Sequence, residues 1–291
     1  MTIAAGFVCI DGIVLCADTQ ETTGYTKNNT EKISSIVDQG LGIAISGAGD
    51  TELIETIGAQ IQRDLLWGYS PKELRMTNEV RDIIQNVMSS SFKRYIVPYA
   101  AFPKEDRPWC DLLIVVTVKN EANNYDCLFR ASGTTVRSIE PGGECVGTGL
   151  ILAKSLIERF YNPFMDLDEL VLAACYIMFQ TKKWVDGCGG KTDLLVASYK
   201  KDFFGGIASR DIESIEQQFE QCEESVNLLI TDLLNPNRTS DRIESLISHA
   251  KMDGENGLKR LYPEGSQLLK TLKRLAPERP TPPNTPSNSQ T

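Results

Sequence analysis

The chain has 291 residues, of which 41% are hydrophobic and 24% charged, an ordinary profile for a globular protein able to bury a sizeable core. Its formal net charge of −9 argues against binding a phosphate backbone, which needs a basic face, so nucleic acid is not an expected partner. No stretch approaches the roughly 20 apolar residues that span a bilayer. The start lacks the basic region and small-residue cleavage site of a signal peptide, so a cytoplasmic protein with no membrane partner is expected.

In chain order, residues 2–10 and 12–18 are β-branched-rich apolar runs around Asp11-Gly12, a tight-hairpin signal. Residues 19–29 read as a polar loop. EKISSIV and LGIAIS predict a third and a fourth strand. Gly47-Ala48-Gly49 reads as a strand-to-helix turn, with Asp50 or Thr51 as helix cap. Leu53, Ile54, Ile57, Ile61 and Leu65 have helical spacing, and a second helix is expected from about Asn78 to Tyr95. CDLLIVVTV and YDCLFRAS predict strands, 150–161 and 167–184 helices, and TDLLVASY a closing strand. Segregated strands and helices imply an α+β layered domain over residues 1–209.

A helical extension over 210–275 is expected next. Ile212, Ile215, Phe219, Cys222, Val226, Leu229 and Leu233 form one apolar stripe, suited to the body or to a neighbouring subunit. A second helix carries Ile243, Leu246, Ile247 and Ala250. Residues 276–291 hold five of the 13 prolines and no large apolar residue, and predict a disordered tail.

Eight cysteines occur without a C-x-x-C pair, mostly in apolar stretches, and read as buried thiols. With one histidine, His249, neither a zinc site nor a histidine-based triad is expected. Chemistry must come from elsewhere. An N-terminal threonine offers a hydroxyl nucleophile, and its free α-amine, with a reference pKa of roughly 7.7–8.0, can accept the proton. Thr2 becomes such a residue once Met1 is removed. Lys32 and Asp18 can flank Thr2 if the second and third strands neighbour the first, with Asp18 holding the ammonium charged and oriented. The Gly-rich turn after LGIAIS can present backbone N–H groups to an oxyanion.

Together these features resemble the proteasome β-type subunits and the related bacterial peptidase rings, the N-terminal-nucleophile (Ntn) threonine hydrolases. TIAAGFVCIDGIVLCADTQETTGY matches their opening in pattern and spacing. The resemblance puts Thr2 on the nucleophile, Asp18 on the orienting acid and Lys32 on the catalytic lysine. It makes Gly47 the expected oxyanion donor. ECVGTGLILAKSLIERFY is similar to the family's Gly-Ser-Gly segment, with Thr148 in place of the serine. WVDGCGGKTDLLVAS is similar to a later acidic motif, with Asp186 on its aspartate, but Gly189 stands where a serine is usual. Glu21, Thr22, Ile45 and Gly49 fall on substrate-binding positions.

The resemblance covers roughly residues 2–200 and implies a four-layer αββα sandwich with a helical C-terminal extension. It also implies peptide-bond hydrolysis through an acyl-enzyme on Thr2, without metal or cofactor. The expected partners are a peptide or unfolded-protein substrate and copies of the same chain, in a ring or a smaller assembly, with an ATP-dependent unfoldase as a further candidate. Two alternatives stay open: a non-peptidase amidase acting on a small molecule, and a catalytically silent subunit, which Thr2, Asp18 and Lys32 together speak against and the glycine at 189 keeps open.

Overall fold

The computed structural model describes residues 2–23, 26–38, 40–68, 77–119, 124–198, 200–234, 244–245 and 247–248. The expected tail and nearly all of the helix expected around Ile243 lie outside these residues, as does His249.

The chain opens with β1 (Ile3–Cys9) and β2 (Gly12–Asp18), paired antiparallel across Asp11-Gly12. β1 is buried along almost its whole length and β2 throughout, which explains why both read as continuous apolar runs without polar alternation. The stretch 19–29 is a hairpin of β3 (Gln20–Thr23) and β4 (Thr26–Asn29), where the sequence suggested a loop. Its polar residues hide the strand signal, because β4 is wholly exposed and has no apolar face.

Next come β5 (Ser34–Asp38) and β6 (Leu41–Gly49). β6 runs through Gly47-Ala48-Gly49, since Gly47 pairs with Leu112 and Gly49 with Cys110. Helix α1 (Thr51–Trp67) follows, capped by the Asp50 carboxylate, which accepts from Leu53 N at 3.0 Å. Helix α2 (Thr77–Ser91) is shorter than its apolar spacing suggested, because a π-helical turn (Phe92–Ile96) replaces its last turns.

β7 (Cys110–Lys119), β8 (Asn124–Ser132), β9 (Thr135–Ile139) and β10 (Gly142–Gly147) complete the middle of the chain. α3 (Leu150–Phe160), α4 (Leu167–Trp184), β11 (Thr192–Ser198), β12 (Phe203–Gly206) and α5 (Ser209–Leu234) close it. β9, β10 and β12 are short, and two of them are glycine-containing, so periodicity does not reveal them.

One antiparallel sheet has the order β10-β1-β2-β11-β12 and a second the order β5-β6-β7-β8-β9. Three apolar clusters hold them. Ile43, Ile45, Leu112 and Ile114 meet Ile57, Ile61 and Ile84 of α1 and α2. Ala4, Leu15, Ala44, Leu113, Val115 and Leu195 from the two sheets pack together. Ile3, Phe7, Val14 and Val196 meet Ala174, Met178 and Ile215 of α4 and α5.

Burial weakens along the apolar stripe of α5. Ile212 and Ile215 are buried, and Phe219 packs edge-on against Tyr176 with ring centroids 5.2 Å apart. Further along, Cys222 and Leu229 of the stripe are half-buried and Val226 is exposed, as are Leu228, Ile230 and Leu234 outside the stripe.

Candidate active site

Thr2 lies just ahead of β1, and its surroundings are set by how the chain returns to it. Asp18 ends β2, opposite Thr192 of β11, and is fully buried. The β3–β4 hairpin pairs Gln20 with Asn29, and Thr30 N donates to Thr19 O at 2.9 Å. That closure brings the chain back to the end of β2, so Lys32 reaches the site from the segment between β4 and β5. The third expected strand belongs to the other sheet and does not neighbour β1.

The three side chains meet. Lys32 Nζ donates to Thr2 Oγ1 at 2.7 Å and to Asp18 Oδ1 at 2.9 Å, and Thr2 Oγ1 lies 2.5 Å from Asp18 Oδ1. Lys32 Nζ also reaches the Gln20 carbonyl at 2.5 Å. Asp18 accepts from Ile3 N at 3.1 Å, and its other oxygen accepts from Gly189 N at 2.9 Å. A fully buried carboxylate is costly unless paired and hydrogen-bonded, and here four donors satisfy it. The Lys32 amide donates to Asp193 at 3.3 Å, while burial pushes the Asp193 carboxyl above its ordinary range.

Two glycines allow this closeness. Gly147, at φ +105°, sits so near Thr2 that a Cβ there would lie 2.2 Å from the Thr2 carbonyl oxygen. Thr148 N donates to that carbonyl at 2.8 Å, and the Thr148 side chain is exposed in the cleft beside Thr2. A Cβ on Gly189 would meet Gln20 Oε1 at 2.5 Å, so the Gln20 amide occupies the place of a side chain at 189.

Thr2 and Lys32 open onto a cleft of about 990 Å³ whose lining includes Glu21, Ile45, Gly47, Gly49 and Thr148. Glu21 is held there by Thr30 at 3.2 Å and Thr51 at 3.1 Å. Thr22 lies on β3 opposite Lys27. On the β5 side, β6 pairs only as far as Ile45, opposite Ser34, which leaves the backbone of 46–49 as an edge on the cleft.

Asp186 is not brought into the cluster by any hydrogen bond: it is exposed, and among the described residues it makes no hydrogen bond or ion pair. Nothing in the sequence pointed to Gln20, and Gly189 stood out only as a departure, because both act through backbone groups and close approach. The glycine in place of an expected serine was the one sequence signal. Among the described residues no group of His, Cys, Asp or Glu is arranged to hold a metal ion.

The fold is that of proteasome-like β-subunits. It is shared with Anbu (ancestral β-subunit) from Yersinia bercovieri at 14% identity and TM-score 0.62, covering 82% of this chain and 100% of that one. The helical assembly of the Anbu complex from Pseudomonas aeruginosa matches at TM-score 0.64 and 14% identity, over 82% of this chain and 99% of that one. An Anbu Gly-1 mutant from Hyphomicrobium sp. strain MC1 matches at 0.61 and 14%, over 78% and 96%. No family model and no curated protein sequence matches the chain. At this identity the likeness establishes the fold alone.

Proposed function

We propose that the protein is a threonine-type Ntn hydrolase that cleaves peptide bonds through an acyl-enzyme on Thr2. The observation that carries this reading is one hydroxyl at a cleft wall, within hydrogen-bond reach of a lysine and of a buried carboxylate. The Ntn hydrolases' four-layer αββα arrangement suits the three apolar clusters, with α5 as the start of the C-terminal extension.

Removal of Met1 turns the Thr2 nitrogen into an amine. Thr2 Oγ1 then attacks the substrate carbonyl while its proton passes to that amine, directly or through water, and on to the leaving amine. Lys32 stabilises the developing oxyanion character of Oγ1, and Asp18 holds Lys32 in place. An extended substrate adds to the free edge of β6, where a backbone N–H of Gly47 is the proposed oxyanion donor. Glu21 and Ile45 flank the substrate side chain. Water then hydrolyses the ester on Thr2. Association into a homo-oligomer, which we place in the cytoplasm, is in keeping with the helical assembly of the Anbu complex from Pseudomonas aeruginosa.

The test has two parts. Intact mass of the purified protein is expected to lack Met1. A peptide epoxyketone or β-lactone is expected to label the wild type and not Thr2→Ala. Labelling of the alanine variant, or a retained Met1, overturns the mechanism.

A further inference from the structure

Glu216 of α5 sits 14% exposed between two groups that lead back to the site. It accepts from Thr192 Oγ1 at 2.7 Å and pairs with Lys182 Nζ of α4 at 2.8 Å, the lysine itself 9% exposed. Lys182 Nζ also donates to the Gly190 carbonyl at 3.2 Å. Gly190 adjoins Gly189, whose N–H donates to Asp18, and Thr192 is the register partner of Asp18. The other side of this turn is tied to the residues after β2: Lys191 N donates to Thr19 Oγ1 at 2.8 Å, and Gln20 N to Gly189 O at 3.1 Å.

The turn over 186–191 is rich in glycine. Without a side chain at 189 or 190, it has few means of fixing itself. Two helices add to the fixation through the largely buried Lys182–Glu216 pair and an exposed pair between Lys191 and Glu213 of α5 at 2.8 Å. The exposed pair is screened by solvent, whereas the buried one fails badly when one partner is lost.

We infer that Lys182 and Glu216 are positioning residues: they hold the 188–190 turn so that the Gly189 N–H fixes Asp18 against Thr2 and Lys32. This rests on the threonine-hydrolase reading. It gives the first turns of α5 a role in the chemistry. Loss of the pair frees the Gly190 carbonyl, loosens the turn and lets the Asp18 carboxylate depart from its geometry. Outer partners that orient the ligands of metal sites matter by about 10–100-fold, and by analogy an effect of that order is expected for groups that orient Asp18.

The experiment compares wild type, Glu216→Gln, Lys182→Met and Lys182→Arg, with Thr2→Ala as control. The glutamine keeps the shape and the bond from Thr192 while removing the charge. Three quantities are read: hydrogen exchange of peptides spanning 186–192, thermal midpoint, and peptide hydrolysis normalised to the fraction of sites labelled by an active-site probe. The expectation for Glu216→Gln and Lys182→Met is faster exchange confined to 186–192. Turnover per labelled site should fall about tenfold or more with KM within twofold, and Lys182→Arg should restore most of it. Unchanged exchange in that segment overturns the inference whether or not the protein hydrolyses peptides. A lower midpoint with unchanged turnover per site also overturns it, since that is what a merely structural pair would give. Activity retained in Thr2→Ala refutes the threonine reading instead and leaves the exchange result to decide the brace.

Discussion

Asp18 carries more of the site than its position at a strand end suggests. It is fully buried, yet Thr2, Ile3, Lys32 and Gly189 all turn donors towards it. The contrast with Asp168 is instructive. That carboxyl lies in the first turn of α4, and its Oδ1 is buried without a hydrogen-bond partner among the described residues. Burial, helped by the neighbouring Asp166 charge, pushes its pKa up to about 6. A raised carboxyl favours the folded state below the unfolded value near 3.9 and loses that contribution as pH rises through about 6. Asp168→Asn is therefore expected to stabilise the protein by about 1 kcal/mol at pH 7.5. The gain should vanish near pH 4. Thermal melts across that range check it, and an equal gain at both pH values would contradict it.

At the scale of elements, the decisive feature is the free edge of β6. β5 stops pairing at Ile45, while β7 continues to Gly49, so one side of 46–49 is covered and the other faces the cleft. Gly47 is needed there for packing as well as for any donor role. A Cβ would lie 2.6 Å from the Asp111 carbonyl oxygen and 2.7 Å from Leu112 Cδ2. Backbone cannot yield as a flexible side chain can, so Gly47→Ala should displace the edge. Misplacement on the order of 1 Å costs about 100-fold in such geometry, and kcat/KM of the variant should fall by about that factor. Circular dichroism should show the fold retained.

The helices were legible because Ile57, Ile61 and Leu65 follow the helical period, and the long strands because runs such as Leu112 to Val118 are almost continuously apolar and bounded by polar residues. The β3–β4 hairpin was not, because its residues are polar, β4 has no buried face, and one end is tied to Gly189, far away in sequence. The stripe of α5 was read correctly as a period, but periodicity could not say that full burial stops after Ile215 and that Val226 is exposed.

For the molecule as a whole, charge bears on what the cleft accepts. The lining carries Glu21, Glu31, Asp50, Glu55, Glu105 and Asp106 against Lys32 and Arg107, and Lys32 is already paired with Asp18. A concave, acidic site concentrates cations and repels anions, an effect that salt screens over about 10 Å at 0.1 M. Peptides bearing Arg or Lys are expected to be hydrolysed with several-fold higher kcat/KM than matched peptides bearing Glu. The gap should narrow as salt rises from 0.02 to about 0.5 M. A preference for the acidic peptides would contradict the reading.

What the sequence determined by itself was the spacing of Thr2, Asp18 and Lys32, the segregated order of strands and helices, and an interior built from apolar runs. These depend on local period and on the reach of a short chain. Only the tertiary structure decided that Lys32 arrives from the segment ahead of β5, that Gly189 supplies a donor to Asp18, and that Asp186 stays in solvent. It also decided that Glu216, nearly 200 residues beyond Asp18, stands behind the same turn. Those facts rest on register, on backbone groups that carry no side-chain signature, and on the close approach that glycine permits, and each becomes visible only when distant segments are brought into contact.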